Sequence, residues 1–595
     1  MLQRIVLRDP AIAQWLIFSD PVDVLIAQRP SEVLPALRAA ERRVKNEDLY
    51  AAGFLTYEAA SGLDDALETH AGGALPLLCF GLFAQGRISD QPGLTTASPM
   101  GPADWHMLEQ RQSYVRKIEK IKRRIAAGDT YQINYTVRQE TDHVEDAIAL
   151  FRNIAADAPY GAYLDCGEHI IVSASPELFF RRNEDRLICK PMKGTSHRGL
   201  TATEDIALRE TLRESTKNRA ENVMILDMIR NDMGRVAENG TVDVTSLYDV
   251  EKYPTVWQMT STVVARTNAD VCDVIAALFP SASVTGAPKV SSMRIIRELE
   301  ESPRGIYTGA IGYFGPDNRA QFNVAIRTAL IEKESRKATY GVGGGIVWYS
   351  DADDEYDECL TKAKVLSRVR TEQDFDLLET LLWTPEHGYA LLEEHLNRLC
   401  ASADYFDYVC DRTTIEEALL EQAGNFSAQK QRVRLTLNKY GQVSVSHQLL
   451  EDVNSGQPRE IVLAAEPVDR SDQFLYHKTT HRQIYEDARR KARGGDDVLL
   501  WNGDGFITET CVANVALDID GTLYTPPVEA GLLGGTYRNW LLSNGMARER
   551  PIHIDELDDG IKLVLFNSVR AQYAGVLRYP ESQEADLLDA MGATP

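Results

Sequence analysis

The chain lacks the features that would place it among membrane, secreted or nucleic-acid-binding proteins. No stretch approaches the roughly 20 apolar residues of a membrane span. The N-terminal MLQRIVLRDPAIAQWLIF contains aspartate and proline and has no small-residue cleavage site, so we expect no signal peptide. Basic residues are scarce, with 64 Lys and Arg against 88 Asp and Glu, and the net charge is −24. A surface this acidic argues against nucleic acid and anionic membranes as partners.

Cysteine is also scarce, and its spacing excludes two further classes of protein. The eight cysteines include no Cys-x-x-Cys pair, so neither a zinc knuckle nor a disulfide framework is indicated. The apolar content of 44% and charged content of 26% are those of an ordinary soluble globular protein. At 595 residues the chain exceeds one hydrophobic core. We therefore expect a multidomain cytoplasmic protein.

Helix and strand patterns alternate along the chain and predict an α/β (α+β) fold in two domains. The predicted domains are residues 1–370 and 374–595, with a polar linker at 368–375 (RVRTEQDF). Residues 109–128 form an amphipathic pattern that ends at Gly128. TLRESTKNRAENVMILDMIRNDMGRV predicts one long helix that closes near Gly234. β-Branched and aromatic runs such as YQINYTVRQE and HIIVSASPELFFRR predict strands.

Two lysines in unrelated contexts indicate two chemistries. Lys193 lies in KPMKGT, and Lys478 lies in YHKTTHR. A lysine amine becomes a nucleophile when desolvation or a neighbouring charge lowers its pKa. Glu177 precedes Lys193 by one hairpin's length and could form an acid–nucleophile pair with it. The alternative for each lysine is a solvated surface charge, and for the pair a surface ion pair.

Acidic residues and glycines in the first half suggest a site for a carboxylate substrate. Glu355, Glu358 and Lys362 share one helical face, and Glu221 lies on another predicted helix. Two glutamates from separate helices could hold Mg²⁺, although spacing alone favours a solvated acidic face. The glycine-rich 343–345 and the VTGAPK segment at 284–289 could bring backbone N–H groups to an anion, or be packed turns.

Taken together, these motifs resemble the chorismate-utilising enzyme family over residues 1–368. The matching segments are GDTYQINYT, SASPELFF, KPMKGT, ENVMILDMIRNDMGRV, PSASVTGAPKVSSMRII, YTGAIGYF, FNVAIRTAL, GVGGGIV and DECLTKA. The resemblance implies a large α/β sandwich in which Glu221 and Glu358 hold Mg²⁺ on the ring carboxylate of chorismate. It implies that the other substrate contacts come from Tyr307, Arg327, Gly343, Gly345 and Lys362, with Thr285 and Gly286 near them.

Within that family, a lysine at position 193 resembles the branch that makes 4-amino-4-deoxychorismate. Anthranilate synthases carry alanine at this position, and the isochorismate and salicylate branch carries a water-activating lysine where this chain has Gln132. The resemblance implies that Lys193 attacks ring carbon C2 while Glu177 protonates the C4 hydroxyl. Ammonia then adds at C4 and expels the lysine. The chain departs from the branch in having Met192 in place of isoleucine, and its N-terminal region is short, so no tryptophan pocket is assumed.

The source of ammonia is expected to be a separate glutamine amidotransferase subunit. Such a subunit needs a Gly-x-Cys-x-Gly nucleophile turn followed by a His-x-Glu pair. The sequence contains no Gly-x-Cys-x-Gly turn followed by a His-x-Glu pair, and none of the eight cysteines has that setting.

The second half carries residues suited to a phosphorylated cofactor. Gly534-Gly535-Thr536 is a glycine turn that feeds a helix N-terminus, where free N–H groups meet a phosphate. Arg398 could add a bidentate contact, and a carboxylate such as Glu509 could keep a pyridine nitrogen protonated. Each feature alone is more often an ordinary helix cap, a surface arginine or a strand-end glutamate.

In this order they resemble the class IV, branched-chain-aminotransferase-like pyridoxal phosphate enzymes, over residues 374–595. The resemblance implies a two-subdomain fold in which Lys478 binds pyridoxal 5'-phosphate covalently and Glu509 faces its ring nitrogen. The remaining cofactor contacts implied are Arg398, Thr536, Tyr537, Asn567 and Ser568. The match begins abruptly at Phe375, so the first domain or a second copy, as in a homodimer, is expected to cover that edge.

Local motifs do not separate a lyase from a transaminase in the second half. We predict a lyase, because the expected product of the first domain is the substrate of a 4-amino-4-deoxychorismate lyase. The predicted function is therefore conversion of chorismate and ammonia to 4-aminobenzoate and pyruvate, for folate. The alternatives are an anthranilate-type synthase joined to a transaminase, which Lys193 disfavours, and a non-catalytic sensor, which the presence of both lysines and both metal glutamates disfavours.

Overall fold

The computed structural model describes residues 2–95, 103–253, 255–366, 375–450, 457–492 and 494–579. It divides into two compact units. The first comprises Met1–His197 with Arg209–Thr371, and the second comprises Arg198–Leu208 with Glu372–Pro595. The predicted linker at 368–375 lies, apart from Phe375, outside the described residues. The sequence patterns did not indicate that residues 198–208 group with the second unit.

The first part of the chain, as far as residue 366, forms two antiparallel sheets and eight described helices. The strands are β1 (Arg4–Asp9), β2 (Gln14–Ser19), β3 (Asp23–Ala27), β4 (Tyr50–Leu55), β5 (Leu78–Phe83), β6 (Arg87–Ser89), β7 (His106–Met107), β8 (Gln132–Thr141), β9 (Tyr160–Asp165), β10 (His169–Ser175), β11 (Leu178–Asn183), β12 (Arg186–Lys190), β13 (Met192–His197), β14 (Asp243–Lys252), β15 (Val256–Arg266), β16 (Gly286–Ala287), β17 (Ala310–Phe314), β18 (Ala320–Val324), β19 (Thr328–Glu332) and β20 (Ala338–Ile346). The helices are α1 (Pro30–Glu47), α2 (Arg111–Ala126), α3 (Ala147–Ile154), α4 (Ala202–Glu214), α5 (Thr216–Gly234), α6 (Val271–Leu278), α7 (Lys289–Leu299) and α8 (Ala352–Ala363).

The two sheets of the first unit face each other as a sandwich. Sheet 1 has the order β16-β8-β20-β19-β10-β9-β1-β2-β6, with β7 beside β8. Sheet 2 has the order β13-β15-β12-β11-β18-β17-β4-β5-β3, with β14 beside β15. Side chains alternate along β1, so that Ile5 and Leu7 join the core between the sheets while Val6 joins the core under the outer helices. Both faces of the central strands are therefore buried, which confirms the predicted α/β class.

The second unit combines a four-stranded sheet with an eight-stranded sheet. Its strands are β21 (Leu377–Thr384), β22 (Gly388–Tyr389), β23 (Gln431–Leu437), β24 (Val443–Leu449), β25 (Arg459–Leu463), β26 (Asp497–Trp501), β27 (Ile507–Thr510), β28 (Asn514–Ile519), β29 (Thr522–Thr525), β30 (Ala547–Glu549), β31 (Lys562–Asn567) and β32 (Ala571–Arg578). Its helices are α9 (Leu392–Phe406), α10 (Arg412–Ala423), α11 (Gln483–Lys491) and α12 (Thr536–Ser543). Sheet 3 has the order β22-β21-β23-β24, and sheet 4 has the order β27-β26-β25-β32-β31-β28-β29-β30.

The long helix predicted from TLRESTKNRAENVMILDMIRNDMGRV is two helices, α4 and α5. Ser215 separates them in an extended conformation, and its hydroxyl accepts a hydrogen bond from the Asn218 N–H. A serine that caps a helix N-terminus satisfies an N–H that would otherwise lack a partner. The helix prediction was wrong at this position because the periodicity continues across the cap.

In the part of the chain that the structure describes, no helix combines the length and the apolar composition that a bilayer crossing requires.

Candidate active sites

A cavity of about 380 Å³ in the first unit collects most residues predicted for the chorismate site. It lies among the ends of strands from both sheets and the faces of α5 and α8. The predicted residues that line it are Glu177, Lys193, Glu221, Tyr307, Arg327, Gly343, Gly345, Glu358 and Lys362.

Thr285 and Gly286, which were predicted to lie near the substrate contacts, are not part of the lining of this cavity. The buried Thr285 hydroxyl donates to the Ser281 carbonyl oxygen at 3.2 Å. A Cβ on Gly286 would lie 2.2 Å from the Gln132 carbonyl oxygen. Both residues therefore pack the turn whose neighbours, Ser283 and Val284, line the cavity. The motif located the segment, but it did not give the direction of each side chain.

Lys193 is a partly desolvated amine near the start of β13. Its Nζ donates to the Ser283 carbonyl oxygen at 2.9 Å. Burial lowers the pKa of Lys193, and the nearby carboxylates of Glu177 and Glu221 partly oppose this shift. A lowered pKa increases the fraction of neutral amine, which is the nucleophilic form.

Glu177 is buried beside Lys193 and accepts a hydrogen bond from the Ser283 hydroxyl at 2.5 Å. Burial raises the pKa of Glu177 to about 7, although Ser283 and Lys193 both act to lower it. A carboxyl group with this pKa is substantially protonated near neutral pH and can serve as an acid. Ser283 contacts both groups, through its hydroxyl and its carbonyl oxygen, and sequence reasoning did not select it.

Three glutamates line the same cavity from two helices. Burial raises the pKa of Glu221 on α5 and of Glu355 on α8. Burial also disfavours ionisation of Glu358, but Lys362 outweighs it and lowers the pKa of Glu358. The Lys362 Nζ lies 2.9 Å from Glu358 Oε1 and donates to the Gly343 carbonyl oxygen at 2.9 Å. Lys362 therefore ties α8 to the glycine-rich strand β20.

These carboxylates fit a cation only when other oxygen ligands complete the site. Within the described ranges, no group of three or more His, Cys, Asp or Glu side chains is arranged to hold a metal ion. Mg²⁺ commonly binds through one or two carboxylates together with water and substrate oxygens. Glu221 and Glu358 facing one cavity match that mode of binding.

Glycine at position 345 keeps the floor of the cavity open. A Cβ there would lie 2.1 Å from Gln132 Nε2 and 3.2 Å from Lys193 Nζ. Any side chain at this position would therefore displace Gln132 and crowd the amine. Gln132 itself is buried and cannot act as a base.

A second cavity, of about 670 Å³, lies in the second unit. Every residue predicted for the cofactor lines it: Arg398, Lys478, Glu509, Thr536, Tyr537, Asn567 and Ser568.

Lys478 is fixed to sheet 3 by its backbone, because its carbonyl oxygen accepts from the Leu378 N–H at 2.9 Å. Burial, with Arg398 as the next contribution, lowers the pKa of Lys478 to about 8. The adjacent His477 is buried, with Nδ1 2.9 Å from the Ser402 hydroxyl. Burial lowers the pKa of His477 to about 4, so it is neutral at physiological pH.

Glu509, on β27, is held in one orientation by three donors. The Tyr485 hydroxyl donates at 2.8 Å, and the Leu533 N–H and Asn514 Nδ2 each donate at 3.2 Å. Burial raises the pKa of Glu509 to about 7. A protonated ring nitrogen opposite this carboxyl group would favour its ionised form, so Glu509 fits the predicted cofactor contact.

Arg398 already uses part of its guanidinium within the protein. Its Nε and Nη2 donate to Glu379 at 2.8 and 2.6 Å, and its Nη1 donates to the Gly534 carbonyl oxygen at 3.3 Å. Burial would raise the pKa of Glu379, but Arg398 and His395 outweigh it and lower this pKa to about 2. The bidentate fork predicted for a phosphate is therefore occupied by Glu379, and Arg398 places its charge beside the glycine turn.

The glycine turn leads directly into α12, whose first residue is Thr536. The Thr536 hydroxyl lies 3.3 Å from His395 Nε2. A Cβ on Gly535 would lie 2.0 Å from Asn514 Oδ1, so this position requires glycine. The turn, the helix N-terminus and the charge of Arg398 together fit the phosphate of pyridoxal 5'-phosphate.

Several residues of the two cavities escaped sequence reasoning. In the first cavity these are Ser283 and Lys217; Glu355, which also lines it, was noted for its helical spacing but was not selected as a site residue. In the second cavity they are Arg432, Arg434, Arg482, Tyr485, Asn514 and Arg570. The alternating Arg-Val-Arg of β23 is a signal that could have located two of them, because alternate strand residues share a face.

Comparison with known proteins agrees with this division. Residues 2–368 match the family model of the chorismate binding enzyme, and residues 376–573 match that of amino-transferase class IV. The aminodeoxychorismate synthase of Streptomyces griseus is 41% identical over 45% of this chain and 37% of its own length. The aminodeoxychorismate synthase component 1 of Bacillus subtilis (strain 168) is 39% identical over 43% of this chain and 55% of its own length.

The chain thus spans just over a quarter to just over half of the length of the curated relatives that it matches. Among solved structures, anthranilate synthase component I from Streptococcus pneumoniae TIGR4 superposes with a TM-score of 0.53 at 24% identity. That superposition covers 61% of this chain and 92% of the other, and it shows the fold of the first unit alone. With more than half of its residues matched by one family model, the chain belongs to the chorismate binding enzyme family, and a class IV amino-transferase region follows that part of the sequence.

Proposed function

We propose that the first unit converts chorismate and ammonia to 4-amino-4-deoxychorismate, and that the second unit cleaves this product to 4-aminobenzoate and pyruvate. The observation that carries the proposal is the contact of Lys193 and Glu177 with the same residue, Ser283, at the wall of one cavity. Similarity to aminodeoxychorismate synthases over the first half supports it.

The first reaction uses Lys193 as nucleophile and Glu177 as acid. The neutral amine of Lys193 adds to ring carbon C2, the ring double bonds shift, and the C4 hydroxyl leaves as water with the proton of Glu177. Ammonia then adds at C4, the C2–N bond breaks, and the proton lost by ammonia returns to Glu177. The balance is chorismate plus ammonia giving 4-amino-4-deoxychorismate plus water.

The substrate's two carboxylates need positive or N–H-rich surroundings in this acidic protein. Lys362, Arg327, Tyr307 and the N–H groups of Gly343 and Gly345 would supply them. Glu221 and Glu358 would hold Mg²⁺ against the ring carboxylate, where the ion would neutralise part of the charge near the reacting carbons.

Removal of Mg²⁺ is expected to stop the first reaction and to spare the second. Chelation with EDTA should lower amination of chorismate by about 100-fold or more, because two glutamates would then repel the substrate carboxylate. Cleavage of supplied 4-amino-4-deoxychorismate should be unchanged. Glu221→Gln should raise the Mg²⁺ concentration needed for half-maximal amination, measured by titration of the chelated protein. Full amination in EDTA would contradict the metal assignment.

The second reaction relies on Lys478 and Glu509. Pyridoxal 5'-phosphate, held by the residues of the second cavity, supplies an electron sink that stabilises negative charge next to the substrate nitrogen. The Lys478 amine, with its pKa near 8, removes the proton from C4 of the substrate ring. Glu509 keeps the ring nitrogen of the cofactor protonated. The enolpyruvyl group leaves from C3 and ends as pyruvate, and the ring becomes aromatic.

Supplying 4-amino-4-deoxychorismate directly tests the second unit without the first. The lyase proposal requires pyruvate and 4-aminobenzoate in equal amounts, measured by coupled lactate dehydrogenase assay and chromatography, in many turnovers without an added amino acceptor. A transaminase would instead need an amino acid and an oxo acid as partners, and it would release no pyruvate from this compound.

The proposed partner of the first unit is a glutamine amidotransferase subunit. Ammonium salts should therefore drive the reaction at raised pH, where more free ammonia is present, whereas glutamine should not. Addition of an amidotransferase subunit of an aminodeoxychorismate synthase should make glutamine effective. Rates with glutamine that equal those with ammonium, measured on this chain alone, would refute the need for a partner.

A further inference from the structure

Three arginines in the wall of the second cavity have no part in the reaction described above. Arg432 and Arg434 are alternate residues of β23 and expose their side chains on the same face. Arg570 follows the Asn567–Ser568 turn and is also exposed in the cavity. The strand register places Arg434 opposite Thr380 of β21, and the Ser568 hydroxyl donates to the Thr380 carbonyl oxygen at 3.2 Å. The strand pair and the turn thus bring the three arginines together.

The charge of this cavity is strongly unbalanced. Its lining residues contribute five arginines and Lys478 but one carboxylate, Glu509. Neither Arg432, Arg434 nor Arg570 forms an ion pair with any acidic residue in the part of the chain that the structure describes. Burial lowers the pKa of Arg432, and the nearby charges of Arg570 and Arg434 lower it further. Like charges placed this close are stabilised when an anion lies between them.

The other two arginines of the cavity already have partners within the protein. Arg398 is paired with Glu379 beside the phosphate turn. Arg482 donates to the Cys511 carbonyl oxygen at 2.5 Å, and its guanidinium lies over the Tyr485 ring at 4.4 Å. The proposed contacts to the phosphate and the ring nitrogen of the cofactor thus do not involve the three arginines. The remaining positive charge is available to a second anion.

We propose that Arg432, Arg434 and Arg570 bind the two carboxylates of 4-amino-4-deoxychorismate and so select it over amino acids with one carboxylate. The inference rests on the proposed function, since it takes that compound as the substrate. Guanidinium groups pair with carboxylates through two parallel hydrogen bonds, which fixes orientation as well as charge. One carboxylate lies on the ring and the other on the enolpyruvyl group at C3, and holding both would direct C4 and its amine toward Lys478.

The test is steady-state cleavage of 4-amino-4-deoxychorismate by the holoenzyme of four variants: Arg432→Gln, Arg434→Gln, Arg570→Gln and the charge-conserving Arg434→Lys. In each Gln variant kcat/KM should fall by about tenfold, mainly because KM rises. A loss of this size is expected when one hydrogen bond to a charged group is removed at an exposed site. The double variant Arg432→Gln/Arg434→Gln should lose more. Arg434→Lys should recover part of the loss. The visible absorbance of the bound cofactor should be unchanged.

Arg459→Gln is the matched control, because Arg459 is an arginine of the same unit paired with Asp496 outside the cavity lining. Inhibition provides a second readout. Chorismate carries both carboxylates but no amine, and it should inhibit cleavage by the wild-type protein more strongly than benzoate, which carries one. The Gln variants should lose that difference, and the control should keep it.

The outcomes separate this proposal from the function on which it rests. If the wild-type protein does not cleave 4-amino-4-deoxychorismate, the proposed lyase function fails. If it does, and the Gln variants keep wild-type KM and chorismate inhibition, the arginine proposal alone is overturned. Loss of cofactor absorbance in the variants would overturn it as well, because the arginines would then hold the cofactor phosphate.

Discussion

Lys193→Ala is expected to abolish amination of chorismate, with a loss of more than about a thousandfold, the scale seen when an enzymatic nucleophile is removed. The reason is that Lys193 presents a desolvated amine, bound to the Ser283 carbonyl oxygen, to the same cavity as the acid Glu177. Consumption of chorismate and formation of 4-amino-4-deoxychorismate are both measured by chromatography. Trace anthranilate is a further expected product, since alanine is the residue that the resemblance assigns to anthranilate synthases.

Two controls make this result specific. Lys190→Ala removes a lysine three positions away that is paired with Glu251, and it should keep near wild-type amination. Cleavage of supplied 4-amino-4-deoxychorismate by Lys193→Ala should proceed at the wild-type rate, which shows that the second unit is folded and active. Undiminished amination by the variant would remove Lys193 from the mechanism.

Lys478→Ala should have an effect of similar size on the second reaction. The variant loses both the covalent attachment of the cofactor and the base that takes the C4 proton, so pyruvate release should fall by more than about a thousandfold. The visible absorbance of the enzyme-bound cofactor should be lost or shifted. When chorismate, Mg²⁺ and ammonium are supplied, 4-amino-4-deoxychorismate should accumulate.

Lys491→Ala serves as the control for this variant. Lys491 ends α11 and is paired with the exposed Glu466, outside the cavity lining. It should leave both reactions intact. If Lys478→Ala still formed 4-aminobenzoate and pyruvate at the native rate, either the base or the cofactor assignment would be wrong.

Most residues that motifs predicted for the chorismate site line the first cavity, because they lie in segments with distinctive local sequences. KPMKGT, SASPELFF and GVGGGIV each contain a residue that lines the first cavity. The sequence could not show that Ser283 contacts both Lys193 and Glu177, because that contact depends on a turn between α6 and α7. It also could not show that Thr285 and Gly286 pack the turn while their neighbours Ser283 and Val284 line the cavity, since a motif does not record which residues of a tight turn face inward.

The second unit shows a different limit of sequence reasoning. Lys478 and Glu509 were recognisable from their order and neighbours, yet the partner of Arg398 was not. Glu379 lies on β21, 19 positions before Arg398 in sequence, and it is buried where its ion pair with Arg398 offsets its desolvation. Sequence reasoning did not select Arg432 and Arg434, which alternate with buried residues along β23. In the structure their exposed face lines a cavity.

The grouping of residues 198–208 with the second unit had no local signal either. Arg198 and Asp205 form a buried ion pair at 2.7 Å, and the Tyr405 hydroxyl donates to the Gly199 carbonyl oxygen at 2.8 Å. The Tyr405 contact joins residues 206 positions apart in sequence. Helical periodicity carries no information on such tertiary contacts.

The measurement that tests the proposed function most directly is a single incubation of the purified protein with chorismate, Mg²⁺, pyridoxal 5'-phosphate and ¹⁵N-labelled ammonium. Products are identified by mass spectrometry and quantified by chromatography. We predict 4-aminobenzoate that carries one ¹⁵N, with one pyruvate released for each molecule formed. Labelled anthranilate in place of 4-aminobenzoate, or labelled 4-amino-4-deoxychorismate that is never cleaved to pyruvate, would contradict the proposal.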